Sequence, residues 1–181
     1  MNLPKLIINN RVNAIICDMA GTTINEGGII YKTLYNTIKN FNLKIGDKSE
    51  IDQWHGANKY EVLDHYLRRT HHSGTYFREL QPKLHKKLNE NLLESYSNPN
   101  NISLIHEDLP KHFNSLREKN VKIFLNTGYP IDIQESIIKT LNMDEFIDDY
   151  ISSEEVVKGR PKSYMIDALL KRNYLFRKNV I

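Results

Sequence analysis

The chain has 181 residues and a net charge of +3 at pH 7, and 40% of its residues are hydrophobic. This length allows a core of about 100 to 130 residues with a small insertion. The small charge gives no argument for a nucleic-acid partner, the single cysteine excludes an internal disulfide, and no segment approaches the ~20 apolar residues of a membrane span. Because the N-terminus lacks a signal-peptide pattern, we expect a cytoplasmic protein, and a homodimer is compatible with it.

The first predicted element is a short aliphatic strand, Val12–Cys17, which leads directly into Asp18. Gly21 and the two threonines that follow it predict a sharp turn immediately afterwards. Asp18 is therefore expected at the carboxyl end of a parallel strand, where open α/β sheets bind ligands. A carboxylate in this position can attack phosphorus as a nucleophile, although the turn alone also fits an ordinary aspartate at a strand end.

The next part of the sequence has the periodicity of helices and no convincing strand. Its apolar residues at helix spacing are Tyr31, Leu34, Tyr35, Ile38, Val62, Leu63, Tyr66 and Leu67. A helical block inserted after the first strand predicts a cap over residues 26–100, which closes at the Asn-Pro-Asn-Asn turn. Residues 1–25 and 101–181 are then expected to form the core.

A second strand, Val121–Leu125, precedes the segment Asn-Thr-Gly-Tyr and a helix that begins near Ile131. The hydroxyl of Thr127 and the backbone amide of Gly128 can donate to phosphoryl oxygens, and the positive end of the following helix adds to this. A Thr-Gly turn between a strand and a helix is common, so this motif alone is a weak signal.

A third strand is expected around Tyr150 and Ile151, followed by a loop that contains Gly-Arg-Pro. The guanidinium of Arg160 can hold phosphate beside an anionic nucleophile with several directed donors. Lys158 is the competing cation in this loop. A helix is predicted over Ser163–Arg172, and the last three residues resemble the start of another strand.

The segment Asp-Met-Ala-Gly-Thr-Thr from Asp18 resembles the first motif of the haloacid dehalogenase superfamily, whose aspartate is a nucleophile. The resemblance implies an α/β fold with a three-layer Rossmann-like core, a parallel sheet and an inserted helical cap. It also implies Mg²⁺ held by the Asp18 carboxylate and the backbone carbonyl of Ala20. Phosphatases of the superfamily have an acid where this chain has Ala20. The Ala-Gly-Thr-Thr form, with Thr-Gly-Tyr and Gly-Arg-Pro, is similar to phosphonoacetaldehyde hydrolases.

Lys59 ends the segment His-Gly-Ala-Asn-Lys, which resembles the Met-Gly-x-x-Lys of the phosphonoacetaldehyde hydrolase cap except at His55. The resemblance implies that Lys59 forms an imine with phosphonoacetaldehyde, that Asp18 attacks phosphorus, and that acetaldehyde and phosphate are released. Imine formation near neutral pH requires the lysine pKa to fall from about 10.4 toward roughly 7 to 8. Taken alone, Lys59 is one of 25 Lys and Arg residues, most of which are expected in solvent.

The resemblance covers nearly the whole chain but only the first three of the four motifs of the superfamily. The fourth, an acidic segment that helps to hold Mg²⁺, has no counterpart, so the sequence is expected to be C-terminally truncated, with weak metal binding and an uncovered first strand. Two other functions stay open. One is a phosphatase of a small phosphate ester, which would not need Lys59, and the other is an inactive truncated homologue that acts as a binding protein.

Overall fold

The computed structural model describes residues 11–54, 57–71, 74–157 and 163–181. The strands are β1 (Ala14–Asp18), β2 (Ile24–Asn25), β3 (Ser103–Leu104), β4 (Lys122–Thr127) and β5 (Asp149–Ser152). The α-helices are α1 (Ile29–Asn40), α2 (Lys59–His71), α3 (Thr75–Tyr96), α4 (Leu109–Arg117), α5 (Ile131–Thr140) and α6 (Ser163–Arg172). Short 3-10 helices lie at Lys48–Trp54, Met143–Glu145, Ser153–Glu155 and Arg177–Asn179.

The central sheet is parallel, and β4 lies between β1 and β5. Asp18 is paired with Asn126, and Thr127 is paired with Ser152, so the carboxyl ends of the three strands lie side by side. Every residue of β4 after Lys122 is buried, as expected for a central strand that is covered on both faces.

Helices cover both faces of this sheet because successive strand residues point in opposite directions. On one face, Ile123 and Leu125 pack in a cluster with Phe113 of α4 and Ile133 of α5. On the other face, Phe124 packs with residues of α6. The three-layer α/β core with a parallel sheet is therefore confirmed. In the part of the chain that the structure describes, no helix is both long enough and apolar enough to cross a bilayer.

Helices α1, α2 and α3 are inserted between β1 and β4 and form a helical cap, as predicted. Their buried side chains form a continuous apolar interior that includes Leu34, Ile38, Leu63, Leu67, Leu84 and Leu88. Two short strands that the sequence did not predict, β2 before the three cap helices and β3 after them in the sequence, pair antiparallel with each other. The domain boundaries at residues 26 and 100 stay a prediction.

The outer edge of β1 is paired with residues 179–181. The N–H of Asn13 donates to the carbonyl of Asn179 at 2.7 Å, and the N–H of Ile16 donates to the carbonyl of Ile181 at 2.8 Å. Val180 forms a parallel bridge with Ala14. The expectation that β1 lacks a neighbour is therefore wrong between Asn13 and Ile16, because the last three residues already cover its backbone edge.

Candidate active site

The turn after β1 is held by its own backbone, and this fixes the position of Asp18. The amides of Thr22, Thr23 and Ile24 all donate to the carbonyl of Met19, at 3.1, 2.9 and 3.0 Å. The hydroxyl of Thr23 donates to the carbonyl of Asp18 at 3.1 Å. Gly21 has a φ of 73°, a left-handed conformation that a side chain would strain. The sequence Gly-Thr-Thr thus supplies both the conformation and the donors that the turn requires.

A cavity of about 140 Å³ lies between the strand ends and the cap. Its core lining is Asp18, Ala20, Thr127, Gly128 and Tyr129, and its cap lining is Ile30, Tyr31 and Lys59. The structure therefore brings together Asp18, Ala20, Lys59, Thr127 and Gly128, which the sequence had placed in one site from three distant segments. Arg160 and the competing Lys158 lie outside the described residues. The chemical roles of these residues stay predictions.

Thr127 ends β4 at the wall of the cavity and is 3% exposed. Its Oγ1 accepts a hydrogen bond from the N–H of Tyr129 at 3.3 Å, which orients the side chain at the start of the loop. The N-terminus of α5 differs from the expectation, because the N–H of Ile131 donates to a carboxylate oxygen of Glu154 at 2.9 Å. The first amide of this helix is therefore engaged by a protein carboxylate.

Lys59 is the first residue of α2 and is only 3% exposed, which is unusual for a lysine. Its Nζ lies 4.9 Å from the centroid of the Tyr31 ring of α1, within the range of a cation–π interaction. The start of α2 is held from both sides by Asn58. The Asn58 Oδ1 accepts from the N–H of Tyr60 at 2.9 Å, and its Nδ2 donates to the hydroxyl of Ser153 in the core at 3.2 Å.

Cys17 directly precedes Asp18 and is partly buried. Burial and, to a lesser extent, the charge of Asp18 raise the pKa of the Cys17 thiol. The thiol is therefore protonated at neutral pH and does not compete with the Asp18 carboxylate as a nucleophile.

The oxygen donors at this site fit a magnesium ion. Asp18 supplies the one carboxylate among the described residues that line the cavity, and Ala20, whose backbone carbonyl is the second ligand that the resemblance implies, lines it too. Mg²⁺ prefers oxygen ligands and commonly combines one or two carboxylates with water and substrate phosphate. Within the described ranges, no group of three or more His, Cys, Asp or Glu side chains could hold a metal by itself.

The fold and the cavity together define a capped α/β protein whose site lies where the strand ends meet the cap. The model of the haloacid dehalogenase-like hydrolase family matches residues 15–181, and the chain belongs to this family. No curated protein sequence matches the chain.

Solved structures of the same architecture include CbbY from Rhodobacter sphaeroides in complex with phosphate, with a TM-score of 0.75 and 14% identity, covering 94% of this chain and 76% of that one. A phosphonoacetaldehyde hydrolase-like protein from Oleispira antarctica has a TM-score of 0.69 and 18% identity, with coverage of 91% and 62%. A predicted phosphoglycolate phosphatase from Haemophilus somnus 129PT has a TM-score of 0.68 and 13% identity, with coverage of 96% and 76%. At these identities the likeness establishes the fold.

Sequence reasoning did not assign three residues that line the cavity, namely Ile30, Tyr31 and Tyr129. Tyr31 belongs to the helical period of α1 and was interpreted as an ordinary core position. Tyr129 lies within the Thr-Gly-Tyr segment, which indicates a place beside the site. The sequence pattern assigns hydrogen-bond donors to Thr127 and Gly128 and gives no role to the Tyr129 ring.

Proposed function

We propose that this hydrolase cleaves the carbon–phosphorus bond of phosphonoacetaldehyde, or of a closely similar small phosphonate with an aldehyde group. The observation that carries the proposal is the position of Lys59. A buried lysine from the cap lines the same cavity as the strand-end carboxylate of Asp18, and Ala20 stands where phosphatases of the superfamily have an acid.

The chemistry explains why a lysine is useful here. The neutral amine of Lys59 condenses with the substrate aldehyde and releases water, which leaves a cationic imine beside the carbon that bears phosphorus. When the carbon–phosphorus bond breaks, its electron pair moves into this imine and forms an enamine, which takes up a proton at carbon and is hydrolysed by water to acetaldehyde and the free amine of Lys59. A leaving group activated in this way does not need protonation by an acid, so an alanine at position 20 is compatible with the reaction.

The core residues would carry the phosphoryl half of the reaction. Asp18 attacks phosphorus and forms an aspartyl-phosphate, and water then releases phosphate from it. The Thr127 hydroxyl and the Gly128 amide hold the phosphoryl oxygens, and Arg160 is proposed to neutralise their charge. Mg²⁺, held by the Asp18 carboxylate and the Ala20 carbonyl, would stabilise the negative charge of the phosphoryl group when it is bound.

The size and lining of the cavity support a small substrate. A cavity of about 150 Å³ holds one benzene molecule, and this one has a volume of about 140 Å³. That volume suits a two-carbon phosphonate. Ile30 and Tyr31 form an apolar wall on the cap side, which would limit the access of water to the imine.

A phosphatase of a small phosphate ester is the second candidate. Structures of similar fold include a predicted phosphoglycolate phosphatase and CbbY in complex with phosphate. This function would use Asp18 and Thr127 in the same way and would give Lys59 no chemical role.

The two candidates are separated by product analysis. We expect the protein with Mg²⁺ to convert phosphonoacetaldehyde into equal amounts of acetaldehyde and phosphate, and Lys59→Arg to abolish this because a guanidinium does not form the imine. Lys32→Arg, at an exposed position of α1, is the control and should leave turnover unchanged. The phosphatase would be established instead if wild type and Lys59→Arg both hydrolysed phosphoglycolate and neither cleaved the phosphonate.

A further inference from the structure

A buried carboxylate lies at the first connection between core and cap. Glu26 follows β2 directly and is 6% exposed. Its Oε2 accepts a hydrogen bond from the N–H of Ile30 in the first turn of α1 at 2.9 Å. Gly27 and Gly28, which lead from Glu26 into this helix, have φ values of 58° and 74°. Glu26 therefore supplies the helix N-terminus with the acceptor that Gly28, at the N-cap, does not have.

The same carboxylate oxygen reaches the second connection between cap and core. Tyr96 is the last residue of α3, and its hydroxyl donates to Glu26 Oε2 at 2.6 Å. This contact joins two residues that are separated by 70 positions. Glu26 thus links the segment that enters the cap to the helix that leaves it.

Tyr96 extends the connection to the wall of the active-site cavity. Its hydroxyl oxygen lies 3.4 Å from that of Tyr129, and the two rings meet edge to face with centroids 5.6 Å apart. The Tyr96 hydroxyl therefore donates to Glu26 in the shorter contact and has the Tyr129 oxygen as a second, more distant acceptor.

Both tyrosines keep their protons at neutral pH. Burial raises the pKa of Tyr96 far above its usual range, and the charges of neighbouring groups, including Glu26, add to this. Burial, followed by the charge of Glu26, likewise raises the pKa of Tyr129. Both hydroxyls therefore stay protonated, and the contacts of Tyr96 with Glu26 and with Tyr129 are maintained.

The hydrogen bonds among Glu26, Tyr96 and Tyr129 reach three residues that line the cavity. Tyr129 lines the cavity from the core side, while Ile30 and Tyr31 line it from the cap side, in the turn whose amide is bound by Glu26. Tyr31 in turn faces the ammonium group of Lys59. Burial of a carboxylate costs free energy, and the hydrogen bonds from Ile30 and Tyr96 offset part of this cost.

We propose that Glu26 is a positioning residue that holds both cap connections in one arrangement and thereby sets Tyr129 and Tyr31 around the cavity. It acts through Tyr96 and through the first turn of α1. The effect on turnover rests on the proposed function, whereas the effect on the cap connections does not.

The test uses Tyr96→Phe, which removes the central hydroxyl and keeps the ring. Tyr66→Phe is the matched control, because Tyr66 is another buried cap tyrosine whose hydroxyl donates to a backbone carbonyl, that of Glu50, at 3.2 Å, outside the hydrogen bonds described above. Amide hydrogen exchange is measured by mass spectrometry on peptides that cover residues 24–31. We expect Tyr96→Phe to speed this exchange roughly tenfold or more and Tyr66→Phe to leave it unchanged.

A second pair of variants examines the carboxylate itself. Glu26→Gln keeps an acceptor oxygen and should retain most of the protection of residues 24–31, whereas Glu26→Leu should lose it.

With phosphonoacetaldehyde as substrate, Tyr96→Phe should lower kcat roughly 10- to 100-fold with a smaller change in KM. Wild-type exchange rates in Tyr96→Phe, or equal effects of Tyr96→Phe and Tyr66→Phe, would overturn the proposal. If wild type does not cleave the phosphonate, the proposed function fails, and the exchange rates still decide the role of Glu26.

Discussion

The ammonium group of Lys59 lies 4.9 Å from the centroid of the Tyr31 ring, and both residues line the cavity that contains Asp18. The two residues belong to different helices of the cap, so the position of the lysine depends on how α1 packs beside α2. The aromatic face is one partner of the cation. This arrangement places Lys59 at the wall of the cavity, where it is proposed to react with a carbonyl group.

Replacement of Tyr31 tests this relationship. Tyr31→Leu should lower kcat/KM for phosphonoacetaldehyde roughly five- to thirtyfold, because the ring face would stabilise the cationic imine formed at Lys59 and a desolvated cation–π contact contributes about 1 to 2 kcal/mol. Tyr31→Phe keeps the aromatic face and should stay within about threefold of wild type. Steady-state kinetics of the two variants provide the comparison, and an equal loss in both would assign the effect to the hydroxyl group instead.

Asp18→Asn should remove turnover while it preserves the fold. An amide has nearly the same shape as the carboxylate but lacks the anionic oxygen that attacks phosphorus, so a loss on the order of 10⁴-fold in kcat is expected. The melting temperature should change little. Phosphate release and thermal unfolding are measured beside Asp144→Asn, an exposed control outside the cavity. Turnover that persists in Asp18→Asn would remove this residue from the mechanism.

Ala20→Asp should shift the activity toward phosphate esters. This change restores a carboxyl group at the position where phosphatases of the superfamily carry an acid, and a positioned general acid contributes typically 10²- to 10⁴-fold. We expect at least a tenfold gain in hydrolysis of a small phosphate ester, and this gain should survive Lys59→Arg. Assays of both substrates with the single and double variants check it. A gain that requires Lys59 would contradict the separate roles assigned to positions 20 and 59.

Alkaline pH should destabilise the protein partly through Tyr60. Burial, followed by the charges of Glu154 and Asp132, raises the pKa of Tyr60 to about 12. The folded state therefore holds this proton to a higher pH than the unfolded state does, so the stabilisation is complete below about pH 10 and is lost between pH 10 and 12.

Because the ring is only partly buried, we expect the contribution of Tyr60 to this loss to be about 1 to 2 kcal/mol. Urea unfolding at pH 9 and pH 11.5 measures it. Tyr60→Phe should lose less stability between these two values than wild type, while the loss that is due to Tyr96 and Tyr129 should persist in both proteins. An identical loss in wild type and Tyr60→Phe would show that the pKa of Tyr60 is not raised.

Local sequence patterns were sufficient for much of the fold. The helix Ser163–Arg172 was predicted with the bounds that the structure has, since a clear apolar period follows a proline and precedes an asparagine. Strand β1 was predicted at Val12–Cys17, whereas it begins two residues later and ends one residue later, at Asp18, because the aliphatic run marks only its middle. Strands β2 and β3 were missed because two residues are too few to show an alternating pattern.

The candidate site was predicted less completely, for a physical reason. Asp18 and Thr127 each come at the end of an apolar strand, so a local signal marks both. The contact between Glu26 and Tyr96 joins positions 70 residues apart and depends on the packing of the whole cap. The sequence around Glu26 and Tyr96 does not indicate this contact, since an isolated Glu before two glycines is typical of an exposed turn.

The imine at Lys59 is tested most directly by reductive trapping. Wild-type protein is mixed with phosphonoacetaldehyde, treated with borohydride, digested and analysed by mass spectrometry, with Lys59→Arg and the exposed-position control Lys32→Arg treated in parallel. The account predicts a covalent two-carbon adduct, with or without the phosphoryl group, on the peptide that contains Lys59, in wild type and Lys32→Arg and not in Lys59→Arg. Cleavage of the phosphonate by wild type without any adduct at Lys59, or by Lys59→Arg at the wild-type rate, would contradict it.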